Sequence, residues 1–311
     1  MKSLSVLAIA ILCFISVGCQ TTSKTVSDNS VGYLLIAHGS THNHGGSHGH
    51  HSHGDVTQRP WEKSVLETVK DVKKETGVAL EVAFGMWDTH SFQTAVDKLI
   101  THGVKRVHII PLFVSSHSIV IRAQKYQFGV LPEPPVELKG LQKVQLPEGV
   151  DLVYGKPLDD SPRLTSILTR RAQSLSDNPA QETLILVAHG PVEDVDNKEW
   201  VKTLQAHSVQ IQNSMANQGR RFAKVEVLTL RDDASKAVQQ KATKEFRGLV
   251  QQAIKENKTP LILPVLIAKG GIEKRLLQRL DGLTFTYKGE MIAPDKELAR
   301  WIIDHMNTSF F

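Results

Sequence analysis

The chain has 311 residues, room for one large domain or two ordinary ones, and its 41% hydrophobic and 22% charged content excludes a disordered polypeptide. The formal charge is +5, with lysines and arginines scattered along the chain, which gives no sign of a nucleic-acid binder; it suits an anionic small molecule, and a solvated surface explains it equally well.

Lys2 is followed by the apolar run LSVLAIAILCFISV. The run is too short and too close to the terminus for an ordinary membrane span, and its layout predicts a secretory signal over residues 1–18. Val17 and Gly18 before Cys19 resemble a bacterial lipobox. Cleavage there would leave Cys19 as a lipidated N-terminus, and an uncleaved anchor is the alternative. Cys13 would leave with the signal, so the mature chain would hold neither a thiol nor a disulfide. Residues 19–30 read as a polar tether, which places the protein on the bacterial cell envelope, facing the periplasm. Gln20 after the cysteine leans toward the outer membrane.

GYLLIAHGS at 32–40 is an apolar run ending in a small-residue turn, and predicts a buried strand with His38 just past its end. Residues 38–53, HGSTHNHGGSHGHHSH, then carry seven histidines. His42, His44, His48, His50, His51 and His53 sit among Gly, Ser and Asn, in a loop able to wrap a divalent metal with several imidazoles. A bland histidine-rich linker would bind metal too, and either would lose it in mild acid as the imidazoles protonate.

Trp61, Val65, Val69 and Val72 share a helical face, ALEVAF at 79–84 reads as a strand, and Ser91 is expected to cap the helix that carries Phe92, Ala95, Val96, Leu99 and Ile100. RVHIIPLFVSSHS at 106–118 is a strand with His117 shortly after it. A proline-rich loop, LPEPPVELKGLQKVQLPEG, leads to a joint near residue 150.

The pattern then returns. TLILVAHGP at 183–191 repeats the first phrase, and TPLILPVLIAKGG at 259–271 repeats the strand at 106–118. His38 and Pro111 are 73 positions apart, His189 and Pro264 75. Between them lie a helical face of Trp200, Leu204, His207 and Ile211, a strand KVEVLTL, and a helix lined by Val238, Ala242, Phe246, Leu249 and Ile254. VYGKPLDDSPRLTSIL at 153–168 and FTYKGEMIAPDKELARWI at 285–302 close the two halves. The chain is thus an internal duplication of α/β class. It divides into two lobes, 31–150 and 151–311, each a roughly four-stranded parallel sheet flanked by helices.

Open parallel sheets gather ligands at the carboxyl ends of their strands. His38 and His117 both follow strand ends of the first sheet. A single histidine there is more often a hydrogen-bonded turn residue, but two at one edge point to a site.

LLIAHGS, IIPLFVSSHS and YGKPLDDSPRL, in that order, resemble the class II tetrapyrrole chelatases, the sirohydrochlorin cobaltochelatases and ferrochelatases. The resemblance covers nearly the whole mature chain, once per half. It implies two lobes around a macrocycle cleft, with His38 and His117 as the catalytic pair, binding metal and accepting protons. It also implies a glutamate after the second strand, where this chain has Met86; Asp88, two residues on, is a candidate metal ligand, and His90 is another. Asp88 reads equally well as an acidic residue at a helix start. Metal insertion into a free-base tetrapyrrole releases two pyrrole N–H protons, and a neutral imidazole can take a proton or hold Co²⁺ or Fe²⁺, with Ni²⁺ or Zn²⁺ also possible. The divalent metal is then a substrate, and no organic cofactor is implied.

The second half keeps His189 but has Gly270 where a second histidine would align. It reads as a degenerate copy covering the first site. Arg122, Lys125 and Lys269, with Lys274 and Arg275, are candidates to face the carboxylates of an anionic macrocycle, though for any single one an ordinary surface cation is the better reading. Two functions fit: a lipid-anchored chelatase, or an envelope protein that binds metal or tetrapyrrole without turnover.

Overall fold

The computed structural model describes residues 30–40 and 59–308. The expected signal, the lipid-bearing Cys19 and the histidines at 42–53 lie outside these residues. In the first half, β1 (Val31–Ala37), α1 (Pro60–Thr76), β2 (Leu80–Phe84), α2 (Thr89–Thr101), β3 (Arg106–Leu112), α3 (Ile119–Gln127) and β4 (Asp151–Tyr154) follow one another. The second half runs α4 (Pro162–Leu175), β5 (Glu182–Ala188), α5 (Asp194–Ala216), β6 (Lys224–Thr229), α6 (Lys236–Lys255), β7 (Thr259–Val265), α7 (Gly271–Arg279) and α8 (Lys296–Asn307). Among the described residues no helix is long and apolar enough to cross a membrane.

Two all-parallel sheets result, ordered β2-β1-β3-β4 and β6-β5-β7. The second has three strands; the residue matching a fourth, Thr286, makes only an isolated bridge to Leu261. β1 and β5 are central and alternate their side chains between two cores. Leu34 and Ile36 face one core with α2, while Leu35 and Ala37 face another that reaches the second lobe. Ile185 and Val187 face the α6–α7 side, and Leu184, Leu186 and Ala188 join the shared core. Helices on both faces explain why these strands read as unbroken apolar runs instead of alternating ones.

The expected joint at 150 falls one strand early, because β4 pairs with β3 in the first sheet, from Arg106↔Asp151 to Ile109↔Tyr154. The chain crosses only after Gly155, whose N–H donates to Ile109 O at 2.8 Å. A side chain at Gly155 would stand 2.8 Å from that carbonyl, so glycine is required at the crossing. α4 then packs on α5 and β7, and in exchange α8 returns to α1 and β3. α4, which closes the first repeat, thus completes the second lobe, and α8, which closes the second repeat, completes the first. Arg163 of α4 ties the two exchanged helices together, with Nη1 2.8 Å from Glu297 and Nε 2.9 Å from Asp304.

Candidate functional site at the facing sheet edges

β1 and β3 are paired to their ends at Ala37↔Leu112. His38 is the first residue beyond that edge and His117 the fifth beyond it, so both leave the same carboxyl edge of one sheet. Gly39 turns the chain there with φ +75°, and Gly190 does the same after β5 with φ +77°. A side chain at Gly190 would stand 2.5 Å from Thr229 Cβ. Positive φ and close packing thus account for the repeated His-Gly phrase.

His38 is half-buried. Its Nδ1 lies 2.8 Å from Gly39 O. A carbonyl only accepts, so Nδ1 carries the proton and Nε2 carries the lone pair, the tautomer suited to a metal or to a substrate proton. The indole of Trp61, near the start of α1, lies 6.3 Å from the His38 ring, centroid to centroid, and would be 3.3 Å from a side chain at Gly270 of the second lobe. The lobes therefore meet over His38, and Gly270 leaves room for that indole.

His117 is exposed, but its loop is held firmly. Trp200 of α5 donates its indole N–H to His117 O at 2.6 Å. The His117 N–H donates to Ser115 Oγ at 3.2 Å. Asp159 accepts from the Ser116 N–H at 2.7 Å and from the Ser116 hydroxyl. The Asp159 carbonyl in turn accepts from His207 Nε2 at 2.8 Å. Buried His207 receives the Thr165 hydroxyl at 2.8 Å on its other nitrogen, and burial pulls its pKa below the ordinary histidine value. The LDDSP phrase thus braces the His117 loop, a role the sequence did not reveal.

Asp88 is the N-cap of α2: its Oδ1 accepts from the Ser91 N–H at 3.2 Å, and the helix begins at Thr89. This is the helix-start reading of Asp88, and it corrects the expectation that Ser91 is the cap; Asp88 provides the acceptor and Ser91 the donor. Met86 occupies the expected acidic position, with its carbonyl held by Gln124 Nε2 at 2.8 Å. His90 is exposed in the first turn of α2. Among the described residues, no three His, Cys, Asp or Glu side chains converge closely enough to hold a metal ion.

The expected macrocycle cations are dispersed. Arg122 is engaged across the lobes, with Nη1 2.8 and 3.0 Å from the two carboxylate oxygens of Asp196 on α5. Its role is therefore to join the lobes. Lys125 is half-buried on α3, and Lys269 is exposed with its ammonium beside Gly289. Arg275 lies 3.1 Å from Asp232, which also pairs with Arg279.

The sequence reads His189 as a structural remnant of the degenerate lobe; in the fold it stands just past the carboxyl end of β5, the second-lobe counterpart of His38. Burial is the main cause of its lowered pKa, and Arg275 adds to this; Asp233 and Asp232 oppose it. Its Nε2 is 3.3 Å from Asp233 Oδ2, an ion-pair distance without a well-directed hydrogen bond. Burial thus disfavours the charged ring, while the carboxylate beside it works the other way. The signal was present in the sequence: the AHG turn recurs with its histidine kept.

Residues 32–175 match the CbiX family model. A curated relative, the sirohydrochlorin cobaltochelatase of Methanococcus aeolicus, is 22% identical over 134 residues, which are 39% of this chain and 94% of that protein. Among solved structures, SirB from Bacillus subtilis with Fe³⁺ superimposes with a TM-score of 0.54 at 14% identity, over 89% of this chain and 94% of that one. A cobalt complex of a sirohydrochlorin chelatase SirB from the same species gives 0.53 at 11% identity, over 89% and 93%. DR2241 from Deinococcus radiodurans, described as chelatase-like with two additional domains, gives 0.52 at 17% identity, and this chain spans 54% of it. The CbiX pattern thus covers the first lobe and the start of the second, and the α/β architecture of the SirB chelatase structures extends through both lobes.

Proposed function

We propose that the protein inserts a divalent metal, Co²⁺ or Fe²⁺, into a sirohydrochlorin-type tetrapyrrole. The observation that carries this reading is the shared edge: His38 and His117 leave the carboxyl ends of adjacent paired strands, under the opposing lobe. The reaction takes a metal dication and a macrocycle with two N–H protons, and yields the metallated macrocycle and two protons. His38, with its lone pair on Nε2, suits the metal or the first proton, and His117 serves as its partner. The name of the Methanococcus relative, a cobaltochelatase, and the iron and cobalt complexes of SirB support this substrate class.

The histidines at 42–53 act as a metal-collecting segment rooted beside His38, and a lipid on Cys19 holds the protein at the envelope membrane. Lys125 and Lys269 remain candidates for macrocycle carboxylates, with Asp88 a second-rank metal ligand because its cap bond already engages one oxygen. Absorbance of sirohydrochlorin with Co²⁺ is the test. Insertion faster than in the protein-free control, lost in His38→Ala or His117→Ala, supports the enzyme.

The second reading is a carrier that binds pigment or metal without turnover. It is favoured by Met86 at the expected acidic position and by the lack of a three-ligand set among the described residues. Tight pigment binding with no acceleration of insertion would establish it in place of the enzyme.

A further inference from the structure

Glu62, in the first turn of α1, is 1% exposed. A carboxylate this deep needs donors or cations at both oxygens. Oε1 has them: it accepts the Ser40 N–H and the Ser40 hydroxyl, each at 2.7 Å, and Arg59 Nη1 stands 3.9 Å away. Oε2 is also buried and has no hydrogen-bond partner among the described residues. The carboxylate lies at the mouth of β1. Oε1 would be 3.5 Å from a side chain at Gly39, the residue between His38 and Ser40, and Trp61 beside Glu62 packs against the His38 ring.

We propose that Glu62 is a metal ligand at the His38 strand end, its Oε2 supplying the oxygen donor that Met86 does not. The inference rests on the metal-handling reading of this edge and adds to it a carboxylate on a different element, α1 in place of the β2 end. One turn of chain holds both donors: Ser40 fixes Glu62, and the same Gly39–Ser40 turn carries His38. A dication beside Oε2 would give a partner to a buried carboxylate oxygen that accepts no hydrogen bond among the described residues. A nitrogen–oxygen pair, completed by water or by the pyrrole nitrogens of the substrate, suits Co²⁺, Fe²⁺ or Zn²⁺. Glu62 accepts from Ser40 and lies 3.9 Å from Arg59, the described residues on either side of the histidine-rich segment.

Glu62→Gln isolates this role. The amide keeps an oxygen to accept from Ser40 and removes only the charge and the second acceptor. The experiment uses the full-length chain with His42, His44, His48, His50, His51 and His53 replaced by asparagine, so that only the sheet-edge site reports. Co²⁺ binding is followed by titration and by visible ligand-field absorption, with thermal melting as the fold control. The expected result is one Co²⁺ per chain, bound at least about 10-fold more weakly after Glu62→Gln, with a changed spectrum and an unchanged melting temperature. His38→Ala in the same background is expected to weaken binding as well. Unchanged affinity and spectrum in Glu62→Gln, with His38→Ala impaired, overturns the role of Glu62 alone. No Co²⁺ binding by the parent, or none that depends on His38, overturns this inference together with the metal-handling reading beneath it.

Discussion

A polar side chain in this protein is best understood by what it would lose in water's absence. His207 is held neutral between an acceptor and a hydroxyl, and burial lowers its pKa from 6.5. The unfolded chain therefore takes up a proton at a pH where the folded chain does not. The stability this provides is complete above about pH 6.5 and declines as pH falls toward the folded pKa. His108 and His189 shift in the same direction, chiefly through burial. The unfolding free energy measured from pH 8 to pH 5 should hold steady and then fall below about pH 6.5, by up to about 1.4 kcal/mol per pH unit from His207. His207→Gln should flatten that slope; an unchanged slope would remove His207 as a source. Asp159→Ala removes both acceptors that hold Ser116 and should cost about 1–3 kcal/mol. If the brace positions His117, denaturant melts will show this loss together with a greater drop in metal insertion than stability explains.

At the level of elements, the site depends on strand ends that are fixed by ladders and on helices that are exchanged. β3 keeps Pro111 near its end, beyond the stretch covered by β4, where a proline is tolerated because the ladder on that side has already stopped at Ile109. α8 is the clearest case of long-range dependence. Its Leu298, Trp301 and Ile302 are buried in the core shared with β1 and α1, over 220 residues away in sequence. Ile302→Ala should destabilise the protein by about 2–5 kcal/mol, the usual range for a fully buried aliphatic residue. Because α8 covers α1, whose first turn holds Trp61 and Glu62, the variant should also weaken Co²⁺ binding near its melting range. Equilibrium unfolding followed by far-UV circular dichroism and by metal absorption would show whether the two losses coincide.

The whole molecule is two similar lobes that cannot be separated by a single cut. α4 serves the second sheet and α8 the first, and the largest core draws on both halves. Heat or urea should therefore produce one cooperative transition, with circular dichroism and tryptophan fluorescence superimposing. A chain ending at residue 295 should lose that cooperativity and become aggregation-prone, since it exposes the apolar face of α1 and β3 that α8 covers. Two separate transitions in the intact chain would contradict the exchange. The same arrangement sets the site. Arg122–Asp196, Trp200–His117 and Trp61–Gly270 all join lobe to lobe at the facing strand edges, so the opening there depends on how the halves are locked.

The sequence by itself determined the local and the repeated. Buried strands read as apolar runs because parallel strands covered on both faces have no solvent side, and helices such as α1 and α5 showed a face of Val65, Val69 and Val72 or of Trp200, Leu204 and Ile211. His38 and His117 were legible because a strand followed by a small-residue turn marks an edge. Single-helix periodicity was less reliable at its margins: Ile254 was placed on the α6 core face and is 42% exposed, while Val250 and Ala253 are buried. Only the tertiary structure decided the partners. It moved the joint past β4, used Asp88 as a cap, engaged Arg122 with Asp196, set His189 beside Asp233 and left one oxygen of Glu62 buried without a donor among the described residues. Each of these depends on residues far apart in the chain meeting in space, and a pattern with a period of two or of 3.6 carries no information about such meetings.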